Sequence, residues 1–63
     1  MTILRVVKDG SKWWLIKQGR QVIGNYRIKA NAISNAFRKA RALSPAKVRI
    51  YSGDGHMQVE SDW

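Results

Sequence analysis

The chain has no cysteine, one proline, one histidine and only four acidic residues among its 63. Without cysteine there is no disulfide and no thiolate metal site. His56, Asp9, Asp54, Glu60 and Asp62 are too few and too scattered to assemble a metal-ligand set. Catalysis lacks its parts for the same reason, because a general base or nucleophile needs a positioned partner. Glu60 and Asp62 read as a solvated tail, and His56 as a surface side chain beside the Asp54-Gly55 turn. Gly53-Asp54-Gly55 lacks the helix and lysine of a phosphate loop and reads as a hairpin turn. No apolar run approaches the ~20 residues of a membrane span. Met1-Thr2-Ile3-Leu4-Arg5 lacks the apolar stretch of a secretion signal. The expectation is a non-enzymatic cytoplasmic protein without cofactor, metal or membrane.

What the chain has in excess is positive charge: 12 Lys plus Arg, for a formal net charge of +8. From Gly10 to Gly53 no side chain is acidic, and that stretch holds Lys12, Lys17, Arg20, Arg27, Lys29, Arg38, Lys39, Arg41, Lys47 and Arg49. Solubility alone would be served by mixed signs. A partner rich in phosphate gains from such a surface, since each neutralised phosphate releases a counterion.

Residues 1–63 fit one small domain. Apolar residues make up 44%, with three tryptophans, which is too much for a disordered chain. A domain of this size buries only about 60% of its unfolded surface, so self-association is an available source of stability.

Ile3 to Lys8 and Lys12 to Gln18 read as strands flanking Asp9-Gly10, a strong hairpin signal. A two-residue turn there pairs Val6 with Trp13 and Arg5 with Trp14. Gly19-Arg20 is a second turn, leading to a third strand with Trp13 opposite Tyr26 and Ile16 opposite Ile23. One face then carries Leu4, Val6, Trp13, Leu15, Val22 and Tyr26. The other carries Ile3, Arg5, Lys12, Trp14, Ile16, Ile23, Asn25 and Arg27. The inverted assignment, with Trp14 in the core and Trp13 outside, is the alternative. Residues 30 to 43 switch to helical period, with Ile33, Ala36, Phe37, Ala40 and Leu43 on one stripe and Ala32 at its edge. Asn31, Asn35 and Arg38 lie opposite. Ser44-Pro45 stops the helix, Asn31 is the residue able to cap it, and Lys47 to Ser52 alternates as a further strand. Met57 and Val59 continue the apolar face beyond the Asp-Gly turn. The expected fold is α+β, in the order β-β-β-α-β-β, an antiparallel sheet with one helix on one face, leaving the other face for water or a partner.

Trp13-x-Leu15-x3-Gly19, Tyr26-x-x-Lys29-x-x-Ala32-Ile33-x-x-Ala36-x3-Ala40 and Val48-x-Ile50-Tyr51-x-x-Asp54-Gly55 resemble the bacterial and phage family catalogued as domain of unknown function 2188. Trp63 stands for that family's terminal aromatic, and Ile28 replaces its helix-capping threonine. The resemblance spans about residues 6 to 63 and implies a small sheet on one helix; it implies no activity.

The predicted open face interleaves base with aromatic through Arg5, Lys12, Trp14, Arg27, Lys47, Arg49 and Tyr51, able to hold phosphates by charge and bases by stacking. Arg5 over Trp14 is alternatively a structural cation–π pair. Arg38 and Arg41, with Lys39, form a second basic cluster, which either touches phosphate or complements the helix dipole. Ile3, Ile16 and Ile23 form an apolar stripe on the same predicted face, expected to be a homodimer interface. The expected function is nucleic-acid binding, DNA ahead of RNA. The alternative is a small phage or bacterial protein that modulates a protein partner, or self-assembles, through the open face.

Overall fold

Alternating apolar residues in five short runs build one sheet, and a single amphipathic run covers one side of it. A computed structural model describes all of residues Met1–Trp63. Its elements are β1 (Thr2–Asp9), β2 (Trp13–Gln18), β3 (Gln21–Tyr26), α1 (Lys29–Ala42), β4 (Ala46–Tyr51) and β5 (Met57–Asp62). The five strands lie in the order β3-β2-β1-β4-β5. The fold is the small α+β arrangement read from the sequence. The sheet is mixed rather than wholly antiparallel, because β1 pairs β4 in parallel. The helix carries the chain back across the sheet, so β4 enters beside β1 in the same direction.

The core is apolar throughout: Leu4 and Val6 of β1, Ile16 of β2, Ala46, Val48 and Ile50 of β4, and Ala32, Ala36 and Ala40 of α1. The three alanines are spaced by four, so they share one helix face and bring the backbone close to the strands. Ala32 therefore belongs to the centre of the buried stripe, not its edge. Ile33 and Phe37 flank the stripe, and Leu43 stays 40% exposed beyond the last turn. Trp63 packs on Phe37, with ring centroids 4.9 Å apart, and its backbone exchanges hydrogen bonds with Ala46.

The first hairpin differs from the expected one. Asp9 pairs Trp13, Lys8 pairs Trp14 and Val6 pairs Ile16, so Gly10-Ser11-Lys12 is a three-residue loop, with Gly10 at φ 66°. The pairing moves by three positions, and an odd shift sends every β2 side chain to the other face. Trp14 and Ile16 thus share the helix side with Leu4 and Val6, while Trp13, Leu15 and Lys17 face outward. The second turn is where the sequence placed it: Gln18 pairs Gln21 across Gly19-Arg20, and Gly19 has φ 61°. A bulge then advances the register, giving Ile16 opposite Gly24 and Trp14 opposite Tyr26, and Ile23 packs against the core.

The helix begins one residue before the expected start. Ile28 occupies the N-cap with no side-chain cap, and its carbonyl accepts from the Asn31 and Ala32 amides. The β4–β5 turn is stapled locally: the Ser52 hydroxyl donates to Asp54, and the Ser52 amide donates to the His56 carbonyl at 2.7 Å.

Candidate functional site

No pocket indents the surface and no group of His, Asp and Glu is clustered to hold a metal, so the two broad faces are where binding chemistry is concentrated. No helix is long and apolar enough to cross a membrane.

The open face is ordered by strand register. Lys17 lies opposite Arg5, and Arg5 lies opposite Arg49, on three adjacent strands. Strands are spaced by about 4.8 Å, so this is a continuous cationic row across the middle of the sheet. Like charges directly opposite one another destabilise a sheet. The row is only partly relieved. The Arg5 guanidinium turns aside and donates to the Gly19 carbonyl at 3.0 Å. Arg49 Nε donates to Glu60 Oε2 at 2.7 Å. Lys17 has no carboxylate within ion-pairing distance.

The face divides into two halves of different charge. On the β4–β5 half, Lys47 lies 3.4 Å from Glu60 and 3.7 Å from Asp62, and Arg49 shares Glu60. Two cations there meet two anions. The Arg49 hydrogen bond, and then Lys47, hold the Glu60 carboxyl below its ordinary value, and Glu60 in turn raises Arg49. On the β1–β3 half, Arg5, Lys17, Lys12, Arg20 and Arg27 meet no carboxylate at all. Of the 12 Lys and Arg, only Lys47 and Arg49 are ion-paired, leaving ten free.

The residues read from the sequence as nucleic-acid contacts fall into several places. Arg5, Lys47, Arg49 and Tyr51 lie on the open face as expected, Lys12 lies in the β1–β2 loop, and Arg27 lies beside it over Trp13. Trp14 does not: it is half-buried against the core, with Lys29 Nζ 4.7 Å from its ring centroid. The expected Arg5–Trp14 pair is therefore absent. The exposed aromatic is Trp13, 39% accessible, with the Arg27 guanidinium 5.2 Å from its ring. Arg38 and Arg41 lie on the helix, on the far side of the sheet, and Arg41 sits 5.9 Å from the Trp63 ring.

The expected interface stripe is broken up. Ile16 is fully buried and Ile23 packs beneath the helix; only Ile3 remains on the open face. The apolar residues there are instead Ile3, Val7, Leu15, Val22 and Met57, which a bulge in the β4–β5 pairing sets opposite Tyr51 rather than on the apolar face expected for it. Lys17 is the residue the sequence reading missed. It stands in phase with Trp13 and Leu15, and a lysine on that phase was the available signal that this face is the outer one.

No family model, curated protein or solved structure matches the chain.

Proposed function

We propose that the protein is a nucleic-acid-binding module that grips the phosphate backbone with the β1–β3 half of its open sheet face. The observation that supports this most is the Lys17–Arg5 pair, two cations directly opposite each other on adjacent strands with no carboxylate on either. A folded protein that places like charges on adjacent strands gives up stability, and a polyanion laid across the pair recovers it. Lys12 and Arg27 extend the charge at one end of β2, and Arg20 extends it at the other. Trp13 is the side chain on which a base can stack, for about 1–3 kcal/mol. Arginine is the main base-reading side chain available, so binding is expected to depend on charge more than on sequence, with duplex DNA the first ligand to try.

A short DNA duplex titrated into the isotope-labelled protein should shift the amide resonances of β1 and β2 around Arg5 and Lys17. Arg5→Gln combined with Lys17→Gln should abolish those shifts while leaving the thermal midpoint unchanged or raised, since the variant removes a like-charge contact without creating another. Shifts confined to β5 and the Gly53-Asp54-Gly55 turn would count against this reading.

A second reading has its own support. Ile3, Val7 and Leu15 are only half-buried and Val22 is 48% exposed, so the same face offers apolar surface to a protein partner or a second copy. Sedimentation of the free protein separates the two: a concentration-dependent dimer that dissociates in Leu15→Lys favours the second.

A further inference from the structure

The helix presents a second cationic surface that the open face cannot account for. Asn31, Ser34, Arg38 and Arg41 are exposed along α1, and the helix contains no acidic residue. Lys39 and Arg41 sit in the last turn, where they complement the negative end of the helix dipole. Arg38 lies outside that turn and has no carboxylate partner, so neither the dipole nor an ion pair explains it. Asparagine, serine and arginine on one helix face are also the side chains that bond base edges and phosphates.

Arg38 and Arg5 lie on opposite sides of the sheet. The shortest extent of the Cα trace is 19 Å. Salt screens over about 8–10 Å, so the two surfaces act as independent charges. Duplex DNA has a persistence length of about 150 base pairs, so a short duplex lying on one side cannot wrap a body of 31 × 21 × 19 Å to reach the other. Two surfaces filled at once must hold two duplexes. Resting on the nucleic-acid reading above, we infer that one chain bridges two duplex segments, one on the open sheet face and one on the outer face of α1.

The test uses one DNA duplex of about 20 base pairs fixed to beads and a second, fluorescent duplex of the same length in solution. Wild type should bind the fixed duplex and carry the fluorescent one to the beads. The captured signal should rise and then fall with added protein, as excess chains occupy each duplex separately. Arg38→Glu with Arg41→Glu should retain binding to the fixed duplex and lose capture by about tenfold or more, as expected for two or three lost phosphate contacts. Because Arg41 touches Trp63, Ser34→Glu serves as a second variant. It adds repulsion on the same stripe at an exposed site in the first half of the helix, and it too should lose capture. Wild type that binds the fixed duplex without capturing the second overturns the inference, as does capture that persists in both variants. Wild type that fails to bind the fixed duplex at all overturns instead the reading on which the inference rests.

Discussion

Each of the three tryptophans carries a cation, and the pairings define what the residues do. Arg27 lies over Trp13, Lys29 over Trp14 and Arg41 over Trp63. Trp14 adds core burial to its cation–π contact, whereas Trp13 keeps its ring open to solvent. Trp14→Ala should therefore cost about 3 kcal/mol, toward the low end for an aromatic truncation because the ring is only half-buried. Trp13→Ala should cost about 1 kcal/mol or less, the value of an exposed cation–π contact. Chemical denaturation of the two variants gives both numbers. In single-tryptophan proteins, acrylamide should quench Trp13 and spare Trp14. Glu60 is the second residue with a measurable signature. Arg49 and Lys47 depress its pKa from the ordinary 4.5, so the stability it confers is complete above that value. That stability is lost as pH falls through the lower folded value. Asp54, lowered by the Ser52 hydroxyl, acts in the same direction. Thermal midpoints should fall as pH drops below about 4.5, and Glu60→Gln should flatten that decline.

At the scale of the element, α1 starts without help. Ile28 stands at the N-cap, 59% exposed, and leaves the first-turn amides without a side-chain acceptor. Ile28→Thr or Ile28→Asp should raise stability by about 1 kcal/mol, readable as a higher urea midpoint at unchanged m-value. The elements themselves were legible because their signals are local: helical spacing of Ile33, Ala36, Phe37 and Ala40, glycine at all three hairpin turns, and alternation from Lys47 to Ser52. Which face of β2 is buried was not legible from Trp13-Trp14-Leu15-Ile16. A run of four apolar residues carries no alternation, so the turn length decided it against the one contrary signal, Lys17. Asp9-Gly10 suggested two loop residues and the chain uses three. That difference moved Trp14 and Ile16 inside and brought Trp13 and Lys17 out. The bulge at Ile23 left one mark in the sequence, Gly24 inside the strand run, which the simple two-residue-turn register does not accommodate. Arg5, Arg49 and Tyr51 needed only the alternation of β1 and β4, and their face was read correctly.

For the whole molecule, the central feature is that three of the four acids, Asp54, Glu60 and Asp62, lie on the β4–β5 side, with Asp9 alone at the end of β1. Glu60 and Asp62 neutralise Lys47 and Arg49 on one half of the open face, and the other half keeps Arg5, Lys17, Lys12, Arg20 and Arg27 unpaired. The net charge of +8 is thus concentrated toward β1–β3 and the helix. An acid near Lys17 would relieve the repulsion there, and its absence is what the proposed phosphate contact accounts for. Affinity for a generic DNA duplex measured across salt concentration tests this most directly. With four or five phosphates engaged, log affinity should fall against log salt with a slope of about −4. Arg5→Glu with Lys17→Glu should weaken binding to all sequences alike and reduce the slope by about two. A slope near zero, or a slope unchanged by removing Arg5 and Lys17, would contradict the account.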